Sequence, residues 1–201
     1  MLLGASALVH GVIVLILWLA EFGVKQYLAS KRNAPPSKAA EPPRPCATAA
    51  MVSALKCAAW AIPLTLAVSS AAMYLGKRLG FELPPQQITA WLKDGTYALP
   101  YRLVIVLYAL SAAPILEELI FRRFAASWLN AVFGPAWAII FSGAIFAAVH
   151  QNWLVLAPLC CFGWALGWLY LKTRRVIAPI TLHFLFNLVN VVLIFTFPEL
   201  V

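Results

Sequence analysis

The chain has 201 residues, of which 63% are hydrophobic and only 11% are charged, and its net charge is +8. A mean hydropathy of +0.86 excludes an ordinary soluble domain, which is nearer half apolar and a quarter charged. The basic residues cluster at the ends of apolar segments, so they indicate membrane topology and anionic headgroups rather than binding to nucleic acid.

The apolar segments predict an all-α fold, a polytopic transmembrane bundle of about six helices, since each span needs about 20 apolar residues. Residues 1–20 are predicted as a first transmembrane helix, because they lack the basic start of a signal peptide. Residues 21–50 are basic and proline-rich, which indicates a solvated linker. A membrane-embedded bundle follows over 51–201, with helices predicted at 51–76, 101–128, 135–150, 153–170 and 176–197 and an interfacial connection between the first two of these.

Three local features refine this bundle. Pro114 predicts a bend in the helix at 101–128. Gly163 and Gly167 have the GxxxG spacing that allows close helix packing. Counting lysines and arginines places the linker at 21–50 inside the cell and both termini outside. Simple alternation then separates Glu117 from His150, unless the short fourth helix ends within the bundle.

Two adjacent carboxylates, Glu117 and Glu118, follow fourteen uncharged residues, although the chain has only seven acidic residues. Unpaired charges at such a depth are costly, which suggests a functional site. On a helix, Glu118 can pair with Arg122 at the i+4 position, while Glu117 points about 100° away and stays free. A charge patch at a helix end would explain these residues equally well.

Two histidines and an amide lie in later apolar segments. His150 follows Phe146 by one helical turn, and Asn187 follows His183 in the same way. A single histidine in an apolar helix is usually a packing residue, which is how we interpret His10. Polar groups within a membrane face the bundle interior and tend to contact one another.

Glu117-Glu118-xxx-Arg122, Phe146-xxx-His150 and His183-xxx-Asn187 occur in this order on successive predicted helices, and together they resemble the three motifs of the CPBP family. This family includes the CAAX prenyl endopeptidases and bacterial Abi-type proteins. The resemblance covers about 101–197. It implies an intramembrane protease whose active site is buried among the C-terminal four helices.

The resemblance also implies a role for each motif residue. Glu117 is expected to activate water with help from His150, and His183 and Asn187 to stabilise the oxyanion. Glu118 and Arg122, together with Phe146, are expected to support this site. No cofactor is expected, although Glu117, His150 and His183 could bind zinc and leave a position for water.

The expected function is hydrolysis of a peptide bond in a membrane-associated or C-terminally membrane-anchored protein or peptide. The expected partners are that substrate and the lipid bilayer, and the expected location is a prokaryotic inner membrane. An ion- or proton-coupled transporter would also place polar residues in the membrane, but the chain lacks the internal repeat typical of many transporters. A non-catalytic Abi-type membrane protein is the other alternative.

Overall fold

The computed structural model describes residue 25, residues 43–81 and residues 98–197. All regular elements in these ranges are helical, which confirms the predicted all-α fold for this part of the chain. They are α1 (Ala47–Arg78), α2 (Leu99–Leu110), α3 (Ala112–Glu118), a π-helical segment (Leu119–Ala126), α4 (Ser127–Phe133), α5 (Pro135–Ala148), α6 (Trp153–Thr173) and α7 (Ile177–Thr196). The helix predicted at 1–20, most of the linker and most of the interfacial connection lie outside the described residues.

Four helical stretches in the described ranges are long and apolar enough to cross a membrane. They are α1, the stretch Leu99–Phe133 that runs from α2 to α4, α6 and α7, while α5 is apolar but shorter at 14 residues. The chain is therefore an integral membrane protein with several spans. The count of about six predicted from the sequence includes the helix at 1–20.

The helix boundaries follow local chemistry. Helix α1 begins at Ala47, inside the range predicted as linker, because Cys46 is extended and its sulfur accepts a hydrogen bond from the Ala49 N–H at 3.5 Å. Prolines occupy the first turns of α2 and α5, where a missing N–H costs nothing. Gly134 separates α4 from α5 with a φ of +82°, a conformation that favours glycine.

Helix α6 is the centre of the bundle, with α1, α5 and α7 packed around it. Helix α1 faces this core with small residues at helical spacing, Ala50, Ala54, Cys57 and Ala61, each at most 2% exposed. Small side chains let helix backbones approach closely in a membrane. Helix α7 also contacts α2 and α3, so the stretch that carries the adjacent glutamates lies against it.

Helices α5 and α6 cross at a glycine contact. A Cβ atom added to Gly163 would lie 2.8 Å from the Gly143 Cα, and one added to Gly143 would lie 2.4 Å from the Trp164 Cδ1. The Trp164 indole then donates a hydrogen bond to the Ile140 carbonyl across the same interface, at 3.2 Å. The close packing predicted for Gly163 is therefore confirmed, with α5 as the partner helix.

Candidate active site

The predicted catalytic residues line one cavity of about 690 Å³. Glu117 reaches it from α3, His150 from the turn after α5, and His183 and Asn187 from α7. Phe146 also lines the cavity. The three motifs are separated in sequence by up to 70 residues, so their convergence depends on the packing of α7 against α3 and α6.

Glu118 is fully buried and bonds to two other residues of the site. Its Oε1 lies 2.9 Å from the His183 Nδ1, and its Oε2 lies 3.0 Å from the Arg122 Nε. The Glu118 and Arg122 side chains are both 0% exposed. A carboxylate can accept several hydrogen bonds, and two charge-assisted bonds fix its orientation. Glu118 therefore joins α7 to the stretch that contains Arg122.

Two further contacts hold the Arg122 guanidinium in place. Its Nη1 donates a hydrogen bond to the Ser142 carbonyl of α5 at 3.4 Å, and its guanidinium lies 5.0 Å from the centre of the Phe146 ring. Stacking on an aromatic face stabilises a desolvated guanidinium. The i,i+4 pair predicted from the sequence is therefore present, and it also anchors α5.

Glu117 has a different environment from its neighbour. Its side chain is 30% exposed, and its Oε2 lies 3.9 Å from the His183 Nε2. That oxygen has no hydrogen-bond partner among the described residues. Because consecutive residues of a helix point about 100° apart, Glu118 enters the core while Glu117 enters the cavity.

The His183 ring is fixed between two carboxylates and two aromatic rings. Its Nδ1 contacts Glu118, which turns its Nε2 towards Glu117. Phe146 and Phe162 pack edge-on against it, with ring centres 5.7 and 5.5 Å away. This arrangement leaves the imidazole little freedom to rotate.

The backbone around the two glutamates is irregular. Ser111 interrupts the helix one turn before Pro114, because proline has no N–H to donate back to Leu110. The bend predicted near Pro114 is thus present. The π-helical segment then begins directly after Glu118. Such wide turns often occur at functional sites, but we identified no sequence signal that predicted this one.

His150 does not lie on a helix as predicted. Helix α5 ends at Ala148, and His150 is in the turn that follows, where it is exposed. Its Nδ1 lies 2.8 Å from the Phe146 carbonyl oxygen. Since a carbonyl can only accept, Nδ1 carries the proton, and the Nε2 of the neutral ring is an acceptor.

Asn187 connects two helices at the cavity wall. Its Nδ2 donates a hydrogen bond to the Ala109 carbonyl in α2 at 2.8 Å. The second N–H and the Oδ1 remain for a ligand, because Nδ2 carries two hydrogens. Asn187 can therefore fix the C-terminal end of α2 and still contribute a hydrogen-bond donor to the cavity.

The cavity has a wall that the sequence did not predict. Thr65, Leu66 and Ser69 of α1 and Asn190 of α7 line it, and none of them belongs to the three motifs. Intramembrane polarity was the signal that could have indicated Asn190. No group of three or more His, Cys, Asp or Glu side chains in 43–81 or 98–197 is placed to hold a metal ion.

Comparison with known proteins identifies relatives for this region. Residues 99–189 match the family described as type II CAAX prenyl endopeptidase Rce1-like. The Bacillus subtilis (strain 168) protein named "Putative membrane peptidase YdiL" is 30% identical over 99 residues, which are 49% of this chain and 39% of that protein. The chain thus spans less than half the length of this relative. No solved structure gives a significant match.

Proposed function

We propose that this chain is an intramembrane endopeptidase of the CPBP family, because residues 99–189 match the Rce1-like family and a protein named as a putative membrane peptidase is 30% identical over 99 residues. Its substrate is a protein or peptide that is associated with the membrane or anchored in it at the C-terminus. The observation that carries this proposal is that Glu117 lines the cavity while its buried Oε2, which has no hydrogen-bond partner among the described residues, lies 3.9 Å from the His183 Nε2. Both carboxylate oxygens of Glu118, by contrast, are paired.

The Glu117 Oε2 and the His183 Nε2, 3.9 Å apart, are close enough to contact one and the same oxygen atom. An oxygen about 2.8 Å from both atoms would contact them at an angle of roughly 90°. Such a position is within hydrogen-bonding reach of a base and of a donor at the same time. Water activation by Glu117 and oxyanion stabilisation by His183 can therefore take place on two neighbouring oxygens, one beside each residue.

The charges of four residues balance around this gap. Glu117, Glu118, Arg122 and a protonated His183 sum to zero, and so does the state in which the proton has moved from His183 to Glu117. A neutral sum matters in a membrane interior, where an uncompensated charge is costly. The Glu118 Oε1 accepts a hydrogen bond from the His183 Nδ1 at 2.9 Å, which holds the Nε2 towards Glu117.

Hydrolysis follows from this arrangement. The ionised Glu117 takes one proton from water as the water oxygen attacks the peptide carbonyl carbon, and His150 accepts the other water hydrogen in a hydrogen bond. The negative charge on the former carbonyl oxygen is stabilised by the His183 Nε2–H and by the second Asn187 N–H. The protonated Glu117 then gives its proton to the departing amine nitrogen, and the C–N bond breaks.

We propose that this glutamate mechanism requires no metal. Its support is that Glu118 already engages the His183 Nδ1 and that Glu117 lies next to the Nε2. The alternative is zinc held by Glu117, His150 and His183, which would supply a bound hydroxide. Cleavage that continues after treatment with a chelator supports the metal-free mechanism, whereas loss of cleavage that only zinc restores contradicts it.

The experiment for the function uses purified protein in phosphatidylethanolamine–phosphatidylglycerol liposomes, which represent the prokaryotic cell membrane proposed as its location. A mixed-sequence library of lipid-anchored fluorogenic peptides serves as substrate. Wild-type protein should cleave some members, while Glu117→Ala and His183→Ala should not, although both insert and fold. Equal cleavage by both variants and wild type would refute the assignment. An Arg123→Ala variant, changed at an exposed position, is the matched control.

A further inference from the structure

Asn190 is a polar side chain whose hydrogen bonding, within the described part of the chain, stays inside its own helix. It lies in α7, half-buried, with apolar residues on both sides in the sequence. Its Nδ2 donates a hydrogen bond to the Phe186 carbonyl of its own helix at 2.8 Å. Unlike Asn187, which bonds to another helix, Asn190 forms no hydrogen bond to another helix within the described part of the chain. Helix association therefore does not explain an amide at this position.

Asn190 opens into the same cavity as the proposed catalytic residues. His183, Asn187 and Asn190 are spaced at i, i+4 and i+7, which places them on one face of α7. Asn190 is thus about 10 Å along the helix axis from His183, at 1.5 Å per residue. An extended peptide rises about 3.3 Å per residue, so this distance corresponds to about three substrate residues.

A peptide that enters this cavity must satisfy its own backbone hydrogen bonds. An unpaired N–H or C=O in apolar surroundings costs several kcal/mol, and much of the surrounding wall is apolar, including Leu66, Pro158, Leu159 and Ile194. A primary amide offers both a donor and an acceptor, and the remaining N–H and the Oδ1 of Asn190 can pair with the C=O and the N–H of one residue of an extended peptide.

We propose that Asn190 binds the backbone of an extended substrate, about three residues from the bond that is cleaved. This inference rests on the proposed endopeptidase function and adds an anchor point that lies just beyond the matched segment 99–189. Because the contact is to backbone, it contributes affinity for extended chains of many sequences. Recognition of the substrate therefore requires an unfolded or frayed segment at the cleavage site.

The test uses the best-cleaved peptide of the library and a series of its ester analogues. Each analogue replaces one backbone N–H by oxygen, at successive positions on both sides of the cleaved bond. With wild-type protein, the ester at the position that contacts Asn190 should lower kcat/KM roughly 2- to 10-fold through KM, as expected for one hydrogen bond. With Asn190→Leu, the same ester should have no additional effect.

Asn190→Ser and Asn130→Leu complete this comparison. Serine is too short to span the same distance, so Asn190→Ser should behave as Asn190→Leu does, which excludes a packing defect specific to leucine. Asn130 is exposed on α4, and Asn130→Leu should retain the full ester penalty. If the ester penalties are the same in wild type and in both Asn190 variants, the Asn190 contact is refuted. A wild-type protein that cleaves no peptide refutes the endopeptidase function itself.

Discussion

Replacing Arg122 by methionine should destabilise the fold, although methionine retains much of the length of the arginine side chain. The Arg122 Nε and the Glu118 Oε2 are 3.0 Å apart and neither side chain is exposed. At that distance the attraction is about 5 kcal/mol for an effective dielectric constant near 20. Removing one partner of such a pair leaves an uncompensated charge, so the free energy of unfolding should fall by about 3–5 kcal/mol.

Reversible unfolding in mixed micelles of a mild detergent and dodecyl sulfate measures this loss. Arg123→Met is the matched control, because Arg123 is exposed one residue away, and it should change the free energy of unfolding by less than about 1 kcal/mol. If Arg122→Met were as stable as Arg123→Met, the buried ion pair would not stabilise the fold and the reasoning would be wrong.

The double variant Glu118→Gln, Arg122→Met separates stability from catalysis. It removes both charges together, and the Gln carbonyl still accepts a hydrogen bond from the His183 Nδ1. Most of the lost stability should therefore return, since an ion pair replaced by neutral groups is often tolerated. Cleavage should stay slower by roughly 10- to 100-fold, because a neutral amide replaces the charged carboxylate that orients His183 beside Glu117.

Two further variants test the packing and the cavity wall. Gly163→Ala should destabilise the protein by about 1–3 kcal/mol, because the new Cβ would lie 2.8 Å from the Gly143 backbone. Gly167→Ala, whose Cβ would lie 3.4 Å from its nearest atom, should lose less than half as much stability in the same unfolding assay. An equal loss in the two variants would contradict the close contact of α5 and α6 at Gly163. Asn187→Leu should reduce stability by about 1 kcal/mol through loss of the bond to Ala109, and should also lower kcat; a variant with unchanged kcat would exclude Asn187 from the oxyanion site.

Sequence reasoning predicted the parts of the site that depend on short-range geometry. Helical periodicity is enough to pair Glu118 with Arg122 and to separate Glu117 from both. The resemblance to the three motifs grouped His183 with these residues, and the structure places it in the same cavity as Glu117; its bond to Glu118 was not predicted. The catalytic roles of these residues stay predictions, because they depend on chemistry that only variants and substrates can reveal.

The parts that were missed depend on backbone irregularity and on packing between helices. The π-helical segment after Glu118 changes the hydrogen-bond register, and α5 ends two residues before His150. Apolar patterns are insensitive to both effects. The contribution of α1 to the cavity was missed because threonine and serine, here Thr65 and Ser69, are common residue types in apolar helices. Asn190 was overlooked because it lies outside the three motifs.

The rate of a single turnover by Glu117→Gln is the most direct measurement of whether Glu117 activates water. Glutamine preserves the size of the side chain and removes the base, so cleavage of the best library peptide in liposomes should fall by about 10²- to 10⁴-fold, while unfolding stays close to that of wild type. Glu117→Asp retains a carboxylate and should fall between the two. Cleavage by Glu117→Gln at the wild-type rate would contradict the proposed role of Glu117.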